Sequence, residues 1–245
     1  MKIFLSGLEA SGEFADINKS FDRYNWMLCS FYYLKQDIFE EIKRKSQLVL
    51  IDSGAHSFQK GKAVDWVEYT KRYAEWIKKN DSDKMLGYFE MDVDNILGYD
   101  KVLELRKILE NASDKIIPVW HKNRGIDEYK KMCRDYAGKI IAITGFKNED
   151  IKDSQYLMFV KYAKSHNCKV HCLGMTRKKV LDKVPFDYAD SSSWKQQAIY
   201  GRVGDRKVSK EFSRQKRWAV MAASLRNAME MQEHYHQKWR KVCKD

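Results

Sequence analysis

Several apolar runs in this sequence end in a residue able to do chemistry. Leu48-Val49-Leu50-Ile51 is followed by Asp52-Ser53-Gly54-Ala55, and Gly87-Tyr88-Phe89-Glu90-Met91 by Asp92-Val93-Asp94-Asn95. Ile116-Ile117-Pro118-Val119-Trp120 ends in His121, Ile140-Ile141-Ala142-Ile143-Thr144 in Gly145-Phe146, and Phe186-Asp187-Tyr188-Ala189 in Asp190. One carboxylate after an apolar strand is ordinarily the N-cap of the next helix. Three of them, with a histidine and two glycines at the ends of different strands, instead suit one shared site. A carboxylate can stabilise or trap an oxocarbenium-like carbon, and a second can manage the protons of leaving and entering groups. On that reading Asp190 is the nucleophile and Asp52 the acid/base. Asp94 points away from Asp92 if the strand continues, whereas a turn there would exchange their roles.

The elements that must position these residues follow from periodicity. Strands are expected at Lys2–Ser6, Trp26–Ser30, Leu48–Asp52, Gly87–Asp92, Ile116–His121, Ile140–Gly145, Lys169–Gly174 and Phe186–Asp190. Between them, helical spacing predicts helices near 36–46, 64–79, 98–110, 125–136, 150–165 and 175–183. Val64, Val67, Tyr73, Ala74 and Ile77 mark the clearest apolar stripe. After Gly201 and Gly204 the chain reads as helical from about 208 to 241. Alternating strands and helices imply a parallel sheet with crossover helices. No glycine-rich phosphate fingerprint opens a helix, as an open dinucleotide-binding sheet would require. About eight strands in 245 residues therefore predict a single α/β domain, a (β/α)₈ TIM-like barrel over residues 1–245 with 205–245 as a basic helical extension. Such barrels place their chemistry at the C-terminal ends of the strands.

Composition narrows the class. Hydrophobic residues make up 44% of the chain, enough for a sizeable core. No apolar run approaches a membrane span, and the first residues lack the long apolar stretch of a signal peptide. Five scattered cysteines fit a reduced protein, so the expectation is a cytoplasmic location, in the host cytoplasm if phage-encoded. The net charge is +12, and half of it lies in Asp205–Asp245, with 11 Lys/Arg against 5 Asp/Glu. Lys207, Lys210, Arg214 and Arg217 recur at helical spacing and could grip phosphates. The alternative is a solvated helix whose aromatics dock on the barrel. Cys168, His171 and Cys172 have metal-ligand chemistry, but strand alternation turns His171 away from Cys172. No metal and no cofactor is expected. A metal-dependent hydrolase would need more strand-end histidines than His56, His121 and His171, and a non-catalytic nucleic-acid binder would need only the basic tail.

The segment Asp52-Ser53-Gly54-Ala55-His56-Ser57-Phe58-Gln59 resembles the Asp-Ser-Gly-Gly-Phe-Gln motif of the tRNA-guanine transglycosylase superfamily, with one residue inserted and Ala55 for a glycine. Asp190 falls where that family has its nucleophilic aspartate, and His171-Cys172-Leu173-Gly174 resembles the segment before its penultimate helix. The resemblance spans about residues 48 to 200. It implies a base exchange in which guanine is replaced by a 7-deazaguanine, with Ser53, Asp92, His121, Gly145 and Phe146 on the base. Trp120, Phe146 and Trp194 are aromatic candidates for holding an extruded nucleotide. The family's zinc cluster needs three cysteines after the nucleophile, whereas only Cys243 follows Asp190 here. That departure, and the short chain, resemble phage-associated DNA-guanine transglycosylases and make DNA the expected partner ahead of tRNA.

Overall fold

The computed structural model describes residues 1–9, 12–58, 64–144 and 151–243, without the side chains of 15 and 213–215. Nine parallel strands form one sheet: β1 (Lys2–Ser6), β2 (Tyr24–Ser30), β3 (Ser46–Asp52), β4 (Met85–Phe89), β5 (Ile116–Ile117), β6 (Val119–Trp120), β7 (Ile140–Thr144), β8 (Lys169–Leu173) and β9 (Tyr188–Ser191). Their order is β5-β4-β3-β2-β1-β9-β8-β7-β6. The two outer members of that order, β5 and β6, are halves of one stretch separated only by Pro118. The first half pairs with β4 and the second with β7. Counted as one, they give eight strand positions, and the sheet curls into a nearly closed barrel. The fold is α/β and TIM-like, as expected from the alternation of elements.

Proline explains the break. It has no N–H to give the ladder, although its carbonyl accepts from Ala142 N–H at 2.8 Å. Val119 N–H then turns out of the ladder and donates to Glu90 Oε1 at 2.7 Å.

Strand alternation sorts the core into two shells. Phe4, Trp26, Leu28, Leu50, Phe89, Ile117, Val119, Ala142 and Tyr188 fill the barrel. Their neighbours in sequence, such as Ile3, Leu5, Val49, Ile51, Ile141 and Ala189, face the helices outside. Because both faces are covered, each strand reads as a continuous apolar run.

The outer helices are α1 (Glu13–Asn18), α2 (Gln36–Lys45), α3 (Trp66–Asn80), α4 (Asp94–Leu97), α5 (Tyr99–Glu110), α6 (Ile126–Asp135), α7 (Tyr156–Ser165), α8 (Lys178–Leu181) and α9 (Ser193–Ile199). Helix α3 starts where its stripe predicts, with Asp65 accepting from Glu68 N–H as N-cap.

The C-terminal region differs from one continuous helix. A hairpin of β10 (Arg202–Val203) and β11 (Arg206–Lys207) precedes α10 (Lys210–Gln215), and α11 (Arg217–Trp239) follows a break at Lys216. Lys207, Lys210, Arg214 and Arg217 therefore do not share one helix. Lys207 ends the hairpin, Lys210 opens α10 and Arg217 opens α11, while the Arg214 side chain lies outside the described residues. Helix α11 covers the barrel: Val220, Met221, Leu225, Ala228 and Tyr235 are buried. Fully buried Gln232 donates to the carbonyls of Ile3 at 2.7 Å and Trp26 at 2.8 Å. Both carbonyls lie near the start of β1 and β2, where the register between these strands begins only at Leu5 and Met27. Among the described residues no helix is long and apolar enough to cross a membrane.

Candidate functional site

Period two places the site. Asp52 lies two residues beyond Leu50 and Asp190 two beyond Tyr188, so both aspartates extend the inward face of their strands one layer above the packed interior. The Asp52 turn is tightly specified. Gly54 has φ +76°, and a Cβ there would lie 2.4 Å from Tyr32 Cβ, so only glycine fits both the backbone and the neighbour. Gly54 N–H donates to Asp52 Oδ2 at 3.0 Å. Ser53 is buried; its Oγ accepts from Ala55 N–H at 3.5 Å and its carbonyl from Tyr69 Oη at 2.7 Å. Ser53 thus shapes the turn from within.

Asp52 is pushed up to about 7, first by burial, and further by the negative charges of Asp190, Asp92 and Glu9; the Gly54 hydrogen bond opposes the rise. Asp52, Asp92 and Asp190 all stand at the C-terminal ends of parallel strands, and so at the same mouth of the barrel. Glu9 carries no motif in the sequence. It follows β1, is buried, and accepts from Gly7 N–H at 2.9 Å. Burial raises its carboxyl above the ordinary range.

Asp190 is oriented from below and from the side. His171 Nε2 lies 2.9 Å from Asp190 Oδ1, and Gly174 N–H donates to the same oxygen at 2.8 Å. His171 is wholly buried among the rings of Phe4, Phe89 and Tyr188, and its Nδ1 has no partner. A carboxylate only accepts, so the ring proton sits on Nε2 and fixes the tautomer. Cys172 faces the outer shell and Cys168 donates to the carbonyls of Cys133 and Tyr136. These three residues do not converge on a common point.

The opposite wall carries arginine. The chain turns after β4, so Asp92 and Asp94 meet on one side. His121 Nε2 lies 2.7 Å from Asp92 Oδ1. Arg124 donates from Nε to Asp94 Oδ2 at 3.0 Å and from Nη2 to Asp92 Oδ1 at 3.3 Å. It also donates from Nη1 to the Val119 carbonyl, and its guanidinium stacks 4.4 Å from the centre of the Tyr99 ring. Beneath it, buried Glu90 pairs with Arg106 at 2.5 Å. Asp92, Asp94 and His121 are the one group among the described residues close enough to share a metal ion. Arg124 already bridges both of these carboxylates with positive charge, which argues for a hydrogen-bonding wall.

Of the aromatic candidates, Trp120 and Trp194 are core: each is 1% exposed, and their indole N–H groups donate to the carbonyls of Gly125 and Ser6. Gly145 and Phe146 lie outside the described residues. His56 is exposed beside the Asp52 turn. Lys207 and Lys210 are exposed, and Arg217 pairs with Glu13 at 2.7 Å. Comparison with models of known families, with curated proteins and with solved structures finds no match for this chain.

Proposed function

We propose that this protein is a base-exchange transglycosylase that replaces guanine in nucleic acid, DNA ahead of tRNA, by a 7-deazaguanine. The observation that carries the reading is the pairing of two unlike carboxylates on one mouth. Asp190 is hydrogen-bonded by His171 and Gly174, and Asp52 faces it with a pKa near 7. Two acids held in different environments suit an acid/base and nucleophile pair.

Asp190 attacks C1′ of the extruded nucleotide. The C1′–N bond breaks, and an ester forms between C1′ and the Asp190 carboxylate. Asp52, protonated in part at neutral pH, gives its proton to the departing guanine. It then takes the proton that the entering 7-deazaguanine must lose as its nitrogen displaces the ester. Asp92 and His121 offer an acceptor and a switchable donor to the base edge, and by resemblance the backbone of Gly145-Phe146 closes the other edge. No cofactor enters the scheme. Lys207, Lys210 and Arg214 supply the grip on phosphates, while Arg217 is taken up by Glu13.

Incubation with radiolabelled guanine and either duplex DNA or tRNA tests the reading. Label entering DNA supports it. Release of free base without incorporation points to hydrolysis, and no reaction with either polymer overturns it.

A further inference from the structure

The segment from Tyr200 to Trp218 departs from the rest of the surface in two ways. Residues 202–217 hold seven Lys/Arg against two Asp/Glu. Four aromatic side chains are exposed among the described residues, Tyr33, Tyr200, Phe212 and Trp218, and three of them lie here, at 72%, 48% and 49% exposure for the last three. Rings left about half or more exposed to water are a cost that a folded barrel has little structural reason to carry three times within nineteen residues.

The segment also lies beside a defined part of the mouth. Lys178, at the start of α8, reaches Asp205 at 3.1 Å. Arg217, at the start of α11, reaches Glu13 at the start of α1. Lys178 and Glu13 open the helices that follow β8 and β1, the two strands that flank β9 and Asp190. Within the hairpin, Arg202 lies directly opposite Lys207. Like charges at facing positions repel, and an anionic ligand relieves the repulsion.

We infer that residues 200–218 are a landing surface for an unpaired nucleic-acid strand. Arg202, Arg206, Lys207 and Lys210 track phosphates, and Tyr200, Phe212 and Trp218 stack bases. Duplex bases hide their faces in the stack, so exposed rings add affinity only for an unpaired strand. The inference takes its ligand class from the base-exchange reading, since a target nucleotide must leave its stack to reach Asp190.

Fluorescence anisotropy of the full-length protein with a fluorescein-labelled single strand, and with the same strand in duplex, tests it without any turnover. The single strand is expected to bind more tightly. Replacing the three rings together (Tyr200→Ala, Phe212→Ala, Trp218→Ala) should weaken single-strand binding at least about tenfold and leave duplex binding little changed. Reversing Arg202, Arg206, Lys207 and Lys210 to Glu should weaken both and lower the single-strand log–log salt slope by about 0.7 for each phosphate no longer neutralised. Circular dichroism establishes that each variant is folded. A duplex preference, a folded ring variant with undiminished single-strand binding, or binding only to vesicles containing phosphatidylserine overturns the inference. Strand binding without guanine incorporation refutes the exchange reading and leaves this surface standing. Incorporation with duplex-preferring binding does the reverse.

Discussion

The two walls of the barrel mouth hold their carboxylates in opposite ways. On the β4–β6 side, Asp92 and Asp94 share the Arg124 guanidinium, and His121 hydrogen-bonds Asp92, so each carboxylate is held by a side-chain donor. On the β1, β3 and β9 side, Asp52 feels the negative charges of Asp190 and Glu9, and a single backbone N–H answers it. The first arrangement fixes acceptors in place and suits recognition. The second leaves a proton in play near neutral pH and suits reaction. One ring of strands thus makes two electrostatic environments simply by which loops carry arginine.

The sharpest way to break this comparison is at Asp190. Asp190→Asn should lower exchange on the order of a thousandfold while nucleic-acid affinity stays near wild type; turnover within a few-fold of wild type would move the nucleophile elsewhere. The recognition wall should fail differently, through folding. Arg124→Met strands Asp92, Asp94 and the Glu90 environment without their cation and should cost about 3–5 kcal/mol in urea unfolding. A loss below about 1 kcal/mol would show that the charges on this wall are solvated instead of matched.

Asp52 gives the reaction wall a pH signature. A carboxyl raised from 3.8 to about 7 binds its proton more tightly folded than unfolded. Its contribution is fully present below about 3.8 and declines as pH rises toward 7. Asp52→Asn should therefore match wild type near pH 4 and exceed it by about 4 kcal/mol near pH 8, with exchange lost at both. Equal stability gaps at the two pH values would remove the charge frustration claimed for this wall. The smallest effect is expected at His171. His171→Phe keeps the ring in its aromatic nest but deletes the bond to Asp190, worth about 1–3 kcal/mol. It should reduce kcat more than it changes KM; a change confined to KM would make His171 a filler of the barrel only.

Much of the frame is legible in the sequence because parallel strands buried on both faces leave unbroken apolar runs, and Asp52, Asp92, His121 and Asp190 stand at the ends of such runs. Glu9 is not, since Gly7-Leu8-Glu9 has no periodic context and its burial is a tertiary matter, with the Ser30 backbone at the end of β2 beside it. Arg124 sits in Lys122-Asn123-Arg124-Gly125 and reads as a solvated basic turn; only the approach of the β4 loop makes it a bridge. The C-terminal region reads as one basic rod because its cations recur at helical spacing across the hairpin and the break at Lys216, and the covering role of α11 is hidden by the polar Ser224 and Gln232 in its buried face. Those residues serve carbonyls of Trp194, Ile3 and Trp26, a role that no pattern of hydrophobicity announces.

Pro118 carries a consequence for how the barrel opens. At that point the ring relies on side chains: Glu90 takes the Val119 N–H and Arg124 the Val119 carbonyl. A break in a cylinder is where it unzips, and this one is latched by the arginine that also holds Asp92. Occupancy at Asp92 should therefore slow amide hydrogen exchange at Val119, so that a bound base becomes a clasp on the whole cylinder.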